Sequence, residues 1–347
     1  MTRPTTPHPD FRPAWWLRGR HAQTIWGKLF RRLPRLPTRA ERWETPDGDF
    51  VVLHRLDARP AGRGGPRLVV LHGLEGSARS HYAVGMLDEA RRRGWAADVL
   101  VFRSCGGEMN RLARSYHSGE TGDLDFVVRR LAAAEPGTPL VLAGVSLGGN
   151  VLLKWLGERG GELPPQVAAA AAVSVPYDLA RGARHIDRGF SRVYQRRFLR
   201  TLRRKAHAKR ERFPDRLRPE AIDRARSLYE FDDAVTAPVH GFRDANDYYT
   251  QSSSIRFLAR IRAPTLLLSA ADDPFLPAAV LDEVRAIARG NPALSVEFVE
   301  RGGHVGFISG TVPWRPFYYA EWRATEFLEH HLAARLAAHV EEQPVAR

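Results

Sequence analysis

A serine framed by glycines is the clearest candidate for chemistry in this chain. Residues 144–149 read Gly-Val-Ser-Leu-Gly-Gly, which places Ser146 between Gly144 and Gly148. The pattern is typical of a sharp strand-to-helix turn that presents a nucleophilic serine. Side chains at the two glycine positions would clash in such a turn, and the start of the next helix directs N–H groups toward a developing oxyanion. A plain strand–helix turn, with glycines for packing, is the alternative.

A candidate base for this serine lies in a later loop. A serine hydroxyl needs a base within hydrogen-bond reach, and that base needs a carboxylate that orients it. His304 follows the last apolar run, residues 296–299, and has Gly303 on one side. This placement, after the candidate acid in chain order, favours a catalytic role even though the chain has 13 histidines.

The candidate acid is one of two adjacent aspartates. Asp272 and Asp273 both follow the apolar run 265–268. We prefer Asp273, because it stands four residues before Pro277, as the acid often does when it serves such a triad. Asp272 is the fallback, and an aspartate that only caps the following turn is the structural alternative.

An early loop is the candidate for oxyanion stabilisation. Residues 72–76 read His-Gly-Leu-Glu-Gly and follow the apolar run 68–71. We expect the backbone N–H groups of Leu74 and Leu147 to be the donors. Loss of one such donor typically costs about 10²–10³ in rate. Because the donors are backbone groups, alanine substitutions would understate their contribution.

The elements that position these residues alternate along the chain. Short apolar runs separated by helical patterns predict a mostly parallel sheet with helices on both faces. The predicted strands span residues 51–54, 68–71, 98–102, 140–143, 167–175, 265–268 and 296–299. The predicted helices span residues 82–93, 123–134, 150–157, 278–288 and 318–338. The candidate serine, acid and base then follow the carboxyl ends of three strands, where catalytic groups collect in such sheets.

The alternation is interrupted from about Asp178 to Arg262. This region is charged and lacks strand-like apolar runs, which indicates an inserted, mostly helical cap. The tryptophans near the start of the chain favour an extension that packs on the core, since free tails seldom carry them. We therefore predict an extension (1–45), a first part of the core (46–177), the cap (178–262) and a second part of the core (263–347).

Composition and charge narrow the class of protein. The chain has 347 residues, 44% hydrophobic and 27% charged, as expected for a soluble globular protein, and no apolar run is long enough to span a bilayer. Residues 1–7 lack the apolar segment of a secretory signal. The single cysteine, Cys105, excludes an internal disulfide and agrees with a cytoplasmic location. We interpret Cys105 as a packing residue, since no activating partner is evident.

The net charge of +14 is carried almost entirely by arginine. We expect most of it on a solvated surface. In the densest cluster, the alternative is weak peripheral contact with anionic membrane or acidic substrates. That cluster comprises Arg196, Arg197, Arg200, Arg203, Arg204, Lys205, Lys209 and Arg210. We expect no nucleic-acid partner, no metal and no cofactor, because the sequence has no such binding module, ligand cluster or phosphate loop.

With these residues in place, the chain resembles the YheT-like branch of the α/β-hydrolases, AB hydrolase family 4, from about Phe11 to the C-terminal helix. The segments that carry the resemblance are residues 21–24, 72–77, 102–110, 116–121, 231–233 and 236–238. The resemblance implies an α/β-hydrolase fold with an inserted helical cap. It implies a carboxylic ester hydrolase for short- or medium-chain acyl esters, lipid esters included, with its triad at Ser146, Asp273 and His304. Residues 104–106 read Ser-Cys-Gly, which departs slightly from the Gly-Cys-Ser sequence that is usual in this branch.

Several alternatives remain open at this point. A thioesterase or acyltransferase would use the same triad, because the triad activates the serine and leaves the acyl acceptor unspecified. A non-catalytic membrane-surface protein would use the basic cap and would not need the triad. Tyr116 and His117 either line the pocket or, as we slightly prefer, pin a long loop over the edge of the sheet.

Overall fold

An eight-stranded sheet forms the centre of the computed structural model, which describes residues 10–57 and 65–341. Its strand order is β1-β2-β4-β3-β5-β6-β7-β8. The strands are β1 (Arg39–Glu44), β2 (Phe50–Leu56), β3 (Arg67–Leu71), β4 (Ala96–Val101), β5 (Leu140–Val145), β6 (Val167–Val173), β7 (Thr265–Ala270) and β8 (Leu294–Val299). Strands β3 to β8 run parallel, whereas β2 is antiparallel to β4 and β1 is antiparallel to β2. This confirms the predicted mostly parallel sheet.

Helices cover both faces of the sheet. The helices of the core are α1 (Arg20–Leu29), α2 (His81–Arg92), α3 (Gly122–Ala134), α4 (Leu147–Arg159), α11 (Ala278–Arg289) and α12 (Tyr319–Glu341). Those between β6 and β7 are α5 (Leu179–Ile186), α6 (Arg192–Arg212), α7 (Pro219–Arg224), α8 (Leu228–Phe231), α9 (Ala237–His240) and α10 (Ala245–Ser252). A short hairpin, β9 (Ile308–Ser309) and β10 (Phe317–Tyr318), precedes α12. Within residues 10–57 and 65–341, no helix is both long and apolar enough to cross a membrane.

The two faces of the sheet bury separate apolar clusters. Along β3, Val69 and Leu71 belong to the cluster under α3, α4 and α11, whereas Leu68 and Val70 belong to the cluster under α2 and α12. Successive side chains of a strand point to opposite faces, so a strand covered on both faces must be apolar at every position. This explains why the central strands read as continuous apolar runs in the sequence.

The structure contains elements that the sequence did not predict. Residues 20–29 form α1 and residues 39–44 form β1, both in the part of the chain predicted as an extension. Strand β1 pairs with β2 along its whole length, so it is part of the central sheet. Only Trp43 of β1 is buried, which fits the charged edge of a sheet and explains the missing apolar pattern. The predicted absence of a signal segment concerns residues 1–7, which lie outside the described residues.

Six α-helices, several short 3₁₀- or π-helical turns and no strand occupy the described segment between β6 and β7. Part of this region has an apolar cluster of its own, which includes Leu199 of α6, Ile222 of α7 and Phe231 of α8. We refer to residues 178–262 as the cap, following the predicted boundaries. The cap begins just after the carboxyl end of β6, and the candidate residues lie at the same end of the parallel strands.

Candidate active site

The backbone at Ser146 adopts a conformation that few residues other than glycine tolerate. Ser146 lies between β5 and α4 with φ 55° and ψ −122°. A Cβ atom added to Gly144 would lie 2.5 Å from the carbonyl oxygen of Gly148, and one added to Gly148 would lie 2.5 Å from the carbonyl oxygen of Leu71. Both glycines are therefore required by close backbone contacts, as the motif suggested. Such strain is typical of a turn that presents a nucleophilic serine.

The three residues proposed from the sequence lie side by side. His304 Nε2 lies 2.9 Å from Ser146 Oγ, and His304 Nδ1 lies 2.8 Å from Asp273 Oδ2. Both Asp273 and His304 are largely buried, at 5% and 8% exposed. The carboxylate selects the tautomer with a proton on Nδ1, which leaves Nε2 as the acceptor facing the serine hydroxyl.

The adjacent aspartate has a different environment. Asp272 Oδ1 accepts hydrogen bonds from the backbone N–H groups of Gly302 and Gly303, each at 2.8 Å. Asp272 therefore supports the loop that carries His304, whereas Asp273 contacts the imidazole itself. The geometry thus separates two aspartates that the sequence left as alternatives.

Helix α1 supports the same loop from the other side. The backbone N–H of His304 donates to Thr24 Oγ1 at 2.9 Å. The Gln23 side chain forms hydrogen bonds with both backbone groups of Ile308. It donates to the carbonyl oxygen at 3.0 Å and accepts from the N–H at 2.7 Å. Residues 21–24 carried part of the family resemblance, but their role did not follow from the sequence. The contacts of Gln23 and Thr24 identify these two residues as support for the histidine loop.

The loop at residues 72–76 lies beside the serine. Leu74 and Leu147 line one cavity together with Ser146 and His304. Glu75, the residue after Leu74, has a positive φ of 54°. The candidate oxyanion donors are therefore close to the serine, on a loop with a constrained backbone.

Two side chains hold this constrained backbone in place. The N–H of Glu75 donates to the hydroxyl of Tyr116 at 2.8 Å, and that hydroxyl donates to Glu75 Oε1 at 2.8 Å. Lys205 Nζ of the cap lies 2.7 Å from the same carboxylate oxygen. Tyr116 and Lys205 thus fix the residue that follows the candidate donor Leu74.

His72 links the same loop to the segment that follows β4. Burial lowers the pKa of His72 to about 4, so the ring is neutral. Its Nε2 accepts from the backbone N–H of Phe102 at 3.1 Å, and its Nδ1 donates to the carbonyl oxygen of Gly73 at 2.8 Å. The ring therefore holds the two backbone segments together and does not change its protonation state near neutral pH.

Residues 102–121 both pin a loop and line the cavity. Arg103 is buried and pairs with Asp47, Asp49 and Asp123. Further along the segment, Tyr116, His117 and Ser118 line the cavity that contains Ser146. Tyr116 and His117 thus line the cavity, the less favoured of the two roles offered for them, while Arg103 makes the ion pairs that pin the segment.

The cap is attached to this segment at several points. Lys209 Nζ donates to the carbonyl oxygen of Asn110 at 3.0 Å. The N–H of Ser115 donates to His240 Nε2 at 3.1 Å, and the N–H of Ser118 donates to the hydroxyl of Tyr248 at 2.9 Å. The cap and residues 102–121 therefore form one continuous polar interface above the sheet.

Cys105 has a neighbour that the sequence did not reveal. Lys205 Nζ lies 3.3 Å from its Sγ atom. Burial nevertheless raises the pKa of the Cys105 thiol to about 11, which disfavours a thiolate at neutral pH. The interpretation of Cys105 as a packing residue is therefore retained.

The basic cluster of the cap divides between two surfaces. Lys205 and Lys209 point inward to the contacts described above, and Arg203 donates to the carbonyl oxygen of Ala225. The others in the cluster are exposed along α6: Arg196, Arg197, Arg200, Arg204 and Arg210. Only part of the cluster is therefore on the solvated surface that we expected for it.

The cavity over Ser146 is enclosed mainly by the cap. It has a volume of about 130 Å³. Leu179 and Ile186 of α5, with Phe198 and Leu202 of α6, supply apolar surface. Phe275 stacks on the ring of His304 with a centroid separation of 4.0 Å, which keeps the imidazole in an apolar setting. The arrangement provides a serine, a base and an acid at the wall of a partly apolar cavity.

Comparisons with known proteins agree with the fold described above. The family described as alpha/beta hydrolase fold matches residues 66–311. YheT of Escherichia coli (strain K12) is 42% identical over 317 residues, which cover 91% of this chain and 92% of YheT. Phospholipase ABHD3 of Mus musculus is 30% identical over 307 residues, covering 87% of this chain and 74% of that protein. The Pyrococcus furiosus esterase Pf2001 superimposes with a TM-score of 0.55 at 15% identity, covering 85% of this chain and 93% of the esterase, and shares the fold.

Proposed function

Since this chain belongs to the α/β-hydrolase family and is a carboxylic ester hydrolase, we propose that it cleaves its substrate through an acyl-enzyme formed on Ser146. The observation that carries the proposal is the position of His304, whose two ring nitrogens lie within hydrogen-bond distance of Ser146 Oγ and Asp273 Oδ2. An activated serine with an oriented base is the minimum that acyl transfer requires.

In the first half-reaction, His304 Nε2 accepts the proton of Ser146 as Oγ attacks the ester carbonyl carbon. Asp273 accepts the Nδ1–H hydrogen bond and stabilises the imidazolium that forms. The carbonyl oxygen becomes an oxyanion, to which the N–H groups of Leu74 and Leu147 donate. The tetrahedral intermediate then collapses, the alcohol leaves with the proton from His304, and the acyl group stays on Ser146.

In the second half-reaction, water replaces the alcohol. His304 accepts a proton from the water as its oxygen attacks the acyl carbon. Collapse of the second tetrahedral intermediate returns the proton to Ser146 Oγ and releases the carboxylic acid. An alcohol or thiol acceptor in place of water would give acyl transfer, and a thioester substrate would enter by the same first step.

The apolar surface of the cavity supports short- or medium-chain acyl esters as substrates, including lipid esters. Leu179, Ile186, Phe198 and Leu202 come from two cap helices, so acyl length depends on the cap. A series of p-nitrophenyl esters of increasing chain length measures this dependence. Product analysis with water and an added alcohol in competition separates hydrolysis from acyl transfer.

Labelling by a fluorophosphonate probe tests the nucleophile. The wild type should react and Ser146→Ala should not. Ser295→Ala is the matched control, because Ser295 is exposed on β8, and it should label like the wild type. Equal labelling of Ser146→Ala and the wild type would contradict the proposal.

The exposed side of α6 supports a second proposal, weak peripheral contact with anionic membrane. Arg192, Arg196, Arg200 and Arg204 are exposed at four-residue spacing, so they share one helix face. Among the described residues, no carboxylate pairs with the last three of them. Phe190 and Val193, at 53% and 51% exposed, add apolar surface where the helix begins. Basic and apolar groups together suit the surface of an anionic bilayer.

Co-sedimentation with phosphatidylserine-containing vesicles tests this contact. Replacement of Arg196, Arg200 and Arg204 by glutamine should weaken binding by about 1 kcal/mol for each arginine. The same replacement at three other exposed cap arginines, Arg216, Arg218 and Arg224, is the control for net charge. Binding that is independent of salt, or equal on phosphatidylcholine vesicles, would rule out the electrostatic contact.

A further inference from the structure

The cavity over Ser146 has two chemically different sides. Its apolar side comes from α5, α6 and Phe275. Its other side is formed by polar residues, which we call the polar wall. The polar wall comprises His117, Ser118, Asp232, Thr236, Tyr248 and Tyr249. The catalytic steps proposed above use none of these side chains.

Asp232 is the central residue of the polar wall. It opens a π-helical turn, Asp232–Thr236, and π-helical turns occur frequently at functional sites. Its Oδ1 accepts from Thr236 Oγ1 at 2.6 Å, and its Oδ2 accepts from the Tyr249 hydroxyl at 2.7 Å. Burial raises the pKa of Asp232 to about 6, so at neutral pH most of the molecules carry a charged carboxylate here.

This carboxylate retains capacity for further hydrogen bonds. An ionised carboxylate has about four acceptor positions, and the described side chains Thr236 and Tyr249 occupy two of them. Asp232 also keeps part of its surface accessible, and it lines the cavity. A desolvated carboxylate is costly unless it is hydrogen-bonded, so a donor that enters the cavity is stabilised there.

The surroundings favour a neutral donor over a cationic one. Burial keeps the pKa of the neighbouring His117 well below its usual value, so this wall disfavours a cationic imidazole. The apolar side of the cavity likewise favours an uncharged ligand. A hydroxyl group satisfies both conditions.

We propose that the polar wall is a subsite for a free hydroxyl group of the ester substrate, which donates its hydrogen bond to the Asp232 carboxylate. This inference rests on the proposed function, because it names the substrate class of the same cavity. The substrate is then an ester with an apolar part and one hydroxyl, carried on either its alcohol side or its acyl side.

The subsite also gives a role to two sequence segments that the triad leaves unexplained. Residues 116–118 and the turn that begins at Asp232 are far apart in the chain, yet both line this cavity. The hydroxyl of Tyr248 accepts from the N–H of Ser118, which joins α10 to the first segment. Two of the segments that carry the family resemblance thus meet at one ligand-facing wall.

Binding to an inactive variant tests the subsite without requiring catalysis. The probes are two isosteric pairs, 3-hydroxypropyl octanoate with butyl octanoate, and methyl 8-hydroxyoctanoate with methyl nonanoate. In each pair a hydroxyl replaces a methyl group, on the alcohol side or on the acyl side. Calorimetric titration of Ser146→Ala gives the Kd of each ester, and we expect the hydroxyl ester of one pair to bind about tenfold more tightly.

The same titrations in Ser146→Ala with Asp232→Asn should abolish most of that preference. Asp233→Asn is the matched control, because Asp233 is exposed and caps the N–H of Ala245 without lining the cavity. Equal Kd values within both pairs, or a preference that survives Asp232→Asn, would overturn the proposal. Failure of the wild type to hydrolyse any of the four esters would instead count against the proposed function, since the binding comparison does not depend on turnover.

A pH series on Ser146→Ala alone covers the case in which Asp232→Asn does not fold. The preference for the hydroxyl ester should decrease as the pH is lowered from about 8 to about 5, because a protonated carboxyl is a weaker acceptor. Tyr248 and Tyr249 face Asp232, but burial raises the pKa of both, so neither ionises in this range. His117 has its pKa lowered by burial, and any effect of His304 is shared by the two esters of a pair. A preference independent of pH would contradict the role of Asp232.

Discussion

The backbone N–H of His304 donates a hydrogen bond to the hydroxyl of Thr24, although 280 residues separate the two in the chain. Thr24 lies on α1, which the sequence did not predict as a helix. The contact places the start of the chain among the elements that determine where the imidazole lies.

Replacement of Thr24 by valine should lower kcat while leaving KM nearly unchanged. Valine keeps the shape of threonine but leaves the N–H of His304 without its acceptor, at a cost of about 1–3 kcal/mol. Steady-state kinetics on a p-nitrophenyl ester measures both constants. Thr138→Val, in the turn between α3 and β5, is the control and should behave like the wild type. An unchanged kcat for Thr24→Val would show that the loop keeps its geometry without this bond.

Replacement of the two adjacent aspartates by asparagine should give very different rates. Asp273→Asn removes the charge that orients His304, and a comparable change in another serine hydrolase lowers kcat by about 10⁴. Asp272→Asn keeps an amide oxygen that accepts from Gly302 and Gly303, so its loss of kcat should be far smaller. Equal losses in the two variants would contradict the separate roles assigned to these residues.

Replacement of Tyr116 by phenylalanine should also reduce kcat. The Tyr116 hydroxyl accepts from the N–H of Glu75 and donates to its carboxylate, so its loss releases the loop that carries Leu74. Loss of an oxyanion donor costs about 10²–10³, and a displaced donor should cost a fraction of that. Tyr229→Phe is the matched control, since the Tyr229 hydroxyl contacts Asn246 in an exposed position. Equal kcat values for the two variants would exclude this positioning role.

The stability conferred by Asp49 should depend on pH. Burial opposes ionisation of Asp49, yet hydrogen bonds from Asn110 and from the backbone outweigh it and lower the pKa of the carboxyl. A depressed folded-state pKa gives stability that is complete above the unfolded pKa, about 4, and is lost as pH falls through the folded value. Asp49→Asn should therefore lower the free energy of unfolding at neutral pH, and the difference from the wild type should narrow below about pH 4.

Denaturant unfolding across this pH range measures the difference. Asp57→Asn is the control, because the Asp57 side chain is 67% exposed and its pairing with Arg39 should contribute little. A difference between Asp49→Asn and the wild type that stays constant from neutral to acid pH would contradict the linkage.

The central sheet was predictable because its strands are buried on both faces. A strand covered by α3 and α4 on one side and by α2 and α12 on the other must be apolar throughout, and such runs stand out in the sequence. Strand β1 lacks this signal, since only Trp43 is buried on it. Helix α1 has only ten residues, and although Ala22, Ile25, Trp26 and Leu29 recur at helical spacing, its buried residues are Gln23 and Gly27. Both elements are held by specific contacts with the rest of the fold, which local pattern does not encode.

The candidate site was accessible to sequence reasoning for a topological reason. Strands β5, β6, β7 and β8 follow one another in space as they do in the chain, so loops after β5, β7 and β8 lie at one edge. Ser146, Asp273 and His304 each follow one of these strands. By contrast, the contact between Lys205 and Glu75 joins residues 130 positions apart in different layers, and no spacing rule points to it.

The polar interface between the cap and residues 102–121 has a consequence for how substrate preference diversifies. Lys209, His240 and Tyr248 of the cap each bond to backbone groups of that segment. A cap transplanted from a relative would therefore meet a foreign docking surface unless residues 102–121 were transplanted with it. The unit that we propose to determine specificity is thus two discontinuous stretches of chain, and an exchange of the cap alone would separate it from the segment to which it is hydrogen-bonded.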